Sequence, residues 1–388
     1  MVGPLLVPRL QGTAALQIKG DHQSLDRAPP FHPSTLPPFH PSTLPFSQPS
    51  NLPSFHPSTL PSFHPSALPS FQKSGSSNDM SGQTVVNTVL VDTLEIGYEE
   101  SGPANSHPII LLHGFPDDAR AWDGVVGPLV AKGFQTIVPY LRGFGPTRFL
   151  NADTMRSGQQ AALAHDLRGL IDALHLLQPI LVGYDWGARA ACTTAALWPA
   201  RVGGLIPIGG YNVESFTLDR KPAPARCEYK AWYQWYFQTE WGRAGLQRNR
   251  RDICRLLWEL WCPNWKFTDA AFDQTAPSFD NPSFVDIVIH SYRYRHGAAA
   301  GDPNLETIEK QLSTRPTIGV PTIVLQGEGD TIHPPEMSEA QEKLFSTHYE
   351  RRVIPLAGHL FPREAPGAVI TAVLDLSRLS GLLPNLQL

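Results

Sequence analysis

Three short stretches carry side chains that, brought together, would make a nucleophile, a base and an acid to orient it. Gly183-Tyr184-Asp185-Trp186-Gly187 follows the apolar run Pro179-Ile180-Leu181-Val182 and precedes a helical stretch from Ala188. That is the setting of a sharp strand-to-helix turn, flanked by glycines, that thrusts its central residue upward. The central residue here is Asp185, and a carboxylate at a helix N-terminus is held ionised by the dipole and by backbone N–H groups. Taken alone, the motif is equally an Asp that caps a helix. Two companions favour the chemical reading. Gln326-Gly327-Glu328-Gly329-Asp330 follows the run Pro321–Leu325, and Gly358-His359 follows a run ending at Ile354. Nucleophile, acid, histidine, each after its own strand, is an order in which layered α/β sheets supply a triad. Glu328 and Glu214 compete with Asp330 for the acid's place, and His359 alone could be a core or capping residue. His113-Gly114-Phe115-Pro116 follows the strand ending at Leu112. It can give one oxyanion-hole N–H, from Phe115, with Trp186 after the nucleophile giving the other.

These residues need a scaffold, and the hydrophobic pattern predicts one. Val85–Val91 and Leu94–Tyr98 read as a β-hairpin. Pro108–Leu112, Gln135–Val138, Pro179–Val182, Val202–Ile208, Pro321–Leu325 and Arg352–Ile354 read as short, mostly apolar strands buried on both faces. Helices are expected over Gln159–Leu177, Ala188–Leu197, Pro335–Leu344 and Pro366–Leu379. Alternating β and α units imply an α/β fold, a mostly parallel sheet with helices on both faces. Tyr211 to Pro316 breaks the alternation: it lacks a convincing strand, is rich in aromatic residues and Arg, and reads as a helical insertion over one edge of the sheet. The expected organisation is a core of residues 80–211 and 317–388 with a helical cap of residues 212–316.

The first 79 residues are a different material. They hold 15 of the chain's 38 prolines, and an octad beginning Phe31-His32-Pro33-Ser34-Thr35-Leu36-Pro37 repeats five times, the third copy degraded. Two prolines per octad remove backbone donors and fix φ, so an extended, disordered arm is expected. The recurring His32, His40, His56 and His64 could collect metal or the arm could dock on a partner; the plainer expectation is a low-complexity tail, or a stretch upstream of a start at Met80. Prolines at positions 4 and 8 interrupt the apolar N-terminus, against a secretory signal.

Composition excludes several roles. With 31 Lys+Arg against 35 Asp+Glu the net charge is −4, which gives no footprint for nucleic acid. No apolar run reaches membrane-spanning length. Cys192, Cys227, Cys254 and Cys262 show no C-x-x-C pairing, so neither a disulfide scaffold nor a cysteine zinc site is expected, and a cytoplasmic, reducing location fits.

His113-Gly114-Phe115-Pro116, Arg142-Gly143-Phe144-Gly145, Gly183-Tyr184-Asp185-Trp186-Gly187, Asp330 and Gly358-His359 together resemble the α/β-hydrolase superfamily, and within it the epoxide hydrolase and dehalogenase branch with an Asp nucleophile. The resemblance runs from about Met80 to the C-terminus. It implies displacement at saturated carbon, giving an alkyl ester of Asp185 that water activated by His359 then hydrolyses, with Asp330 orienting the imidazole. No cofactor and no metal is expected; the partner is a small apolar substrate.

The leaving group divides the branch. An epoxide oxygen leaves as alkoxide and wants an O–H donor. Tyr233, in Tyr233-Gln234-Trp235-Tyr236-Phe237-Gln238, and Tyr292, in Ser291-Tyr292-Arg293, resemble the two cap tyrosines of epoxide hydrolases; Tyr236 and Tyr294 are alternatives, and the aromatic cluster could simply pack. Phe115 stands where haloalkane dehalogenases usually carry a polar halide donor. Arg189 resembles a substrate-carboxylate ligand of haloacetate dehalogenases, although their neighbouring Arg is replaced by Trp186, and Arg189 could instead pair with a structural acid. Dehalogenation is thus the alternative activity, and a non-catalytic binding protein of the same fold a third reading.

Overall fold

A computed structural model of the chain describes residues 85–215, 222 and 224–382. The octad-repeat arm lies outside them. The strands are β1 (Val86–Val91), β2 (Leu94–Ser101), β3 (Pro108–Leu112), β4 (Gln135–Pro139), β5 (Arg148–Phe149), β6 (Ile180–Tyr184), β7 (Gly204–Ile208), β8 (Thr322–Gly327) and β9 (Tyr349–Ile354). They form one sheet in the order β1-β2-β4-β3-β6-β7-β8-β9, with β5 paired to β2. β1, β2 and β5 pair antiparallel, β2 also meets β4 antiparallel, and every neighbour from β4 to β9 is parallel. Each residue of β3, β4, β6, β7 and β8 is buried, as continuous apolar runs between helical layers require.

The flanking helices are α1 (Asp123–Ala131), α2 (Gln160–Ala173), α3 (Trp186–Leu197) and, at the C-terminus, α10 (Phe361–Glu364) and α11 (Pro366–Leu379). α1 packs on α11 and α2 on α3. Between β7 and β8 the described residues are helix and loop: α4 (Ala225–Lys230), α5 (Trp232–Tyr236), α6 (Glu240–Trp261), α7 (Asp269–Thr275), α8 (Phe284–Arg295) and α9 (Glu306–Ser313). This helical block is fastened to the loops above the sheet. The Trp258 indole donates to Pro116 O at 2.8 Å, Asn281 Nδ2 to Thr147 O at 2.7 Å, and Ser278 Oγ to Asp118 Oδ2 at 2.6 Å.

Two expectations fail. The strand at Arg352–Ile354 is not buried on both faces: it belongs to β9, which ends the sheet with β8 as its one neighbour among the described residues, and none of its residues is buried. Pro335–Leu344 is not an α-helix but two 3-10 turns, Pro335–Ser338 and Glu342–Leu344. Pro334 and Pro335 remove successive donors, Ala340 turns to φ +52°, and the Gln341 side chain is held by its Oε1, which accepts Tyr211 N–H at 2.8 Å. α2 stops at Ala173 rather than Leu177, and α3 starts at Trp186 rather than Ala188.

Candidate active site

The turn after β6 puts Asp185 where no ordinary residue settles, at φ 49° and ψ −118°, immediately before α3. Close packing demands its two glycines. A Cβ on Gly187 would lie 2.1 Å from Leu112 O, and one on Gly183 would lie 2.5 Å from Gly187 C. Gly114 is held for the same reason: its Cβ would stand 2.5 Å from Asp185 Cβ. Such strain persists only where the surroundings impose it, and it marks functional turns.

The Asp185 oxygens face different partners. Oδ1 accepts the Phe115 N–H at 2.8 Å. Oδ2 faces His359 Nε2 at 3.7 Å, an attraction of charge rather than a formed hydrogen bond. Trp186, the other expected oxyanion-hole residue, is fully buried at the first position of α3. On the far side of the ring, His359 Nδ1 meets Asp330 Oδ2 at 2.8 Å, while Asp330 Oδ1 accepts the N–H groups of Ile332 and His333 at 2.9 and 2.8 Å. Of the acids that competed, Glu328 accepts from Leu356 N–H at 3.4 Å and Glu214 pairs with Arg189 at 2.7 Å. The acid against His359 Nδ1 is Asp330.

Electrostatics follow from this geometry. Burial works against a charged imidazole, yet the carboxylates of Asp330 and Asp185 overcome it and raise His359 to about 10. Burial likewise opposes ionisation of Asp185, but the charge of His359, with Arg189 and His333 behind it, holds the carboxyl well below the usual range. The two carboxylates thus favour the imidazolium form of His359, and His359 favours the ionised form of both. His113 is the opposite case. Its Nε2 accepts Leu141 N–H at 3.0 Å, so its proton sits on Nδ1 and points to Gly114 O, also at 3.0 Å. Burial lowers this ring to about 4.

Tyr233 and Tyr292, on α5 and α8, meet edge to face with ring centroids 5.1 Å apart, and lie 6.1 and 5.7 Å from the Phe115 ring. Both are almost fully buried. Burial first, and the Asp185 charge after it, pushes Tyr233 up to about 12; burial, then Tyr233 and then the Asp185 charge raise Tyr292 well above an ordinary phenol. The Gln234 amide donates to the Tyr233 oxygen at 3.1 Å, and the Tyr233 and Tyr292 hydroxyls interact with each other. Arg189 is buried, and its guanidinium donates to Glu214, which also takes two bonds from Arg295. The structure thus brings Asp185, Asp330, His359, Phe115, Trp186, Tyr233 and Tyr292 together and gives Arg189 an acid partner.

Further residues crowd the site, Trp261 being one of the tryptophans of the expected cap whose aromatic character suggests an apolar pocket, while His333, Glu364 and Arg363 are not anticipated from sequence. The half-buried His333 ring lies 5.2 Å from that of His359, and the Trp261 ring 5.0 Å from it. Glu364 accepts the N–H of Gly358 at 2.8 Å. Arg363 donates twice to Asp117, at 2.8 and 2.6 Å, and Tyr184 adds its hydroxyl at 2.8 Å, tying the segment after His359 to the strand that carries the nucleophile candidate. The sequence signal for His333 was only its place three residues after Asp330. Asp330, His333 and His359 could together reach a metal ion, but His359 Nδ1 and both Asp330 oxygens already have partners.

A family model described as alpha/beta hydrolase fold matches residues 107–366. The chain belongs to the α/β-hydrolase fold family. This α/β-hydrolase is 42% identical to a Klebsiella pneumoniae protein described as a candidate epoxide hydrolase, whose crystal structure superposes with a TM-score of 0.73 over 76% of this chain and 97% of that one. Epoxide hydrolase A of Mycobacterium tuberculosis is 27% identical over 320 residues, 74% of this chain and 95% of its own length. Human epoxide hydrolase 4 is 23% identical over 283 residues, 71% of this chain and 74% of that protein. Within the family the α/β-hydrolase therefore groups with enzymes of the epoxide hydrolase type. Among its described residues no helix is long and apolar enough to cross a membrane, and all four cysteines are free.

Proposed function

We propose that this enzyme opens an apolar epoxide to a diol through an alkyl ester of Asp185. The observation that carries this reading is the pair of buried phenols, Tyr233 and Tyr292, gathered over Phe115 beside the Asp185 carboxylate. Asp185 Oδ2 attacks a ring carbon; Oδ1 already rests on the Phe115 N–H. The C–O bond breaks, and a phenol gives its proton to the departing oxygen. Asp185 becomes a neutral ester and one of the two charges that kept His359 protonated is gone. The imidazolium then yields its proton, the oxygen that left as alkoxide being the eventual recipient by way of the tyrosine. His359 can now take a proton from water, whose hydroxide attacks the ester carbonyl while Phe115 and Trp186 N–H groups hold the oxyanion. Asp185 and diol are released. The helices between residues 212 and 316 serve as the cap that keeps this pocket dry.

The haloacetate alternative would ask Arg189 to bind a substrate carboxylate, whereas its guanidinium is engaged by Glu214. The deciding experiment is a side-by-side assay of styrene-type epoxides and haloacetates, with diol and halide both measured, and pre-steady-state alkylation by Tyr233→Phe and Tyr292→Phe. Loss of one positioned donor is expected to slow alkylation by about a hundred- to a thousand-fold. Rates within a few-fold of the parent for both variants, or halide release without diol, would overturn the assignment.

A further inference from the structure

The C-terminus of α6 meets both loops that carry the His359–Asp330 pair. Leu260 O, one of the carbonyls a helix leaves unpaired at its end, accepts the hydroxyl of Thr331 at 2.8 Å, the residue directly after Asp330. Two residues on, Cys262 caps the helix, and its sulfur accepts the N–H of Leu360 at 3.2 Å, the residue directly after His359. Asn264 Nδ2 reaches Leu356 O at 3.2 Å, three residues before His359. The approach is close: a Cβ on Gly358 would lie 3.0 Å from Cys262 Cα, and one on Gly329 would lie 2.7 Å from Asn264 Nδ2. Between these ties the Trp261 ring stands edge-on to His359, with 5.0 Å between centroids, and 5.3 Å from the ring of Tyr233. His359 is thus gripped from both sides of its own backbone, at Gly358 by Glu364 and at Leu360 by Cys262.

We propose that Cys262 and Thr331 are positioning residues for the hydrolytic half of the reaction, through which the helical block sets the aim of His359 without touching substrate. The inference rests on the two-step reading above. Attack by Asp185 needs its carboxylate and the phenols, none of which these two residues hold. Ester hydrolysis needs the His359 nitrogen aimed at a water, and a small misplacement of a catalytic group costs about ten- to a hundred-fold. Free Cys is usually a small buried hydrophobe with a weak S–H; here its sulfur takes a backbone N–H beside the base.

The test is single-turnover kinetics with intact-mass detection of the Asp185 adduct, in the full chain, for Cys262→Ala, Cys262→Ser and Thr331→Val. In Cys262→Ala and Thr331→Val hydrolysis is expected to fall about ten-fold or more while alkylation stays within about two-fold, so the adduct becomes the main steady-state species. Cys262→Ser restores an acceptor and should recover part of the loss. Thr331→Val keeps its shape, and it reports from the opposite loop should the Cys262 variants fold poorly. Equal slowing of both steps, or parent-like partitioning in Thr331→Val, overturns the proposal. His359→Gln is the control. An adduct in that variant alone sinks the positioning role and keeps the two-step mechanism; no adduct in any variant sinks both.

Discussion

Asp185→Asn is the most informative single change, because it mimics the charge loss of the alkylated state without substrate. It deletes a negative charge 3.7 Å from His359 Nε2 while keeping the side chain's shape. Two unit charges at that distance attract by about 4.5 kcal/mol at an effective dielectric of about 20. At roughly 1.36 kcal/mol per pH unit, that is about three pH units of titration. The charge is shared with Oδ1, which already faces the Phe115 N–H, so the effect at His359 is somewhat smaller. Removing an anion disfavours the imidazolium, so the sign is downward: His359 should leave its resting value of about 10 by about two to three pH units. Imidazole NMR across neutral and alkaline pH reads this directly. Stability gives a second check. A histidine raised above its ordinary 6.5 contributes stability that is whole below that value and lost as pH climbs through about 10. In Asp185→Asn that loss should be complete at a lower pH, visible as melting curves that stop changing earlier. A His359 titration within half a pH unit of the parent's would refute the claim that alkylation converts this group from acid to base.

His359→Gln should alkylate and then stall, so mass spectrometry of enzyme incubated with a turned-over epoxide should find Asp185 carrying substrate; free enzyme throughout would contradict the two-step route. Gly187→Ala forces a Cβ to 2.1 Å from Leu112 O, and should cost about 3 kcal/mol or more, or prevent folding; soluble variant with a parent-like melting temperature would show that the turn can relax. Trp258→Phe strands the Pro116 carbonyl, now bonded at 2.8 Å, and is expected to cost about 1–3 kcal/mol in thermal unfolding.

What the sequence disclosed is what short-range pattern can encode. Pro108–Leu112 and Pro366–Leu379 appear with their expected limits, because the first is an apolar run too short for a helix and the second a long stretch with a 3.6-residue period. Asp185, Asp330 and His359 were legible because each follows a strand, so the sheet itself delivers them to one end. The 3-10 turns at Pro335–Leu344 are not legible because the Gln341 side chain is held by Tyr211 N–H, 130 residues away in sequence. α1 escaped notice because Gly124, Gly127 and Pro128 disguise it, although Val125 and Leu129 share one buried face. Cys262 and Glu364 carry no pattern at all: their meaning lies in bonds to backbone N–H groups beside His359, which only the folded chain brings within reach.

The two fixed bonds of His113 have a consequence for how protons can be counted in this site. A ring whose one nitrogen must accept and whose other must donate is locked in a single tautomer, and with a value of about 4 it carries no exchangeable charge in the neutral range. His333 is also pushed downward, by burial first and by the nearby His359 second. Among the described residues, of the imidazoles of His113, His333 and His359 it is His359 that is raised, to about 10, by its two carboxylates. Among the described histidines of the pocket, His359 is therefore the one expected to change its charge in the alkaline range. A break in an alkaline rate profile, or a solvent isotope effect on ester hydrolysis, can be assigned to His359 among these rings, with His113 serving as the silent reference beside it.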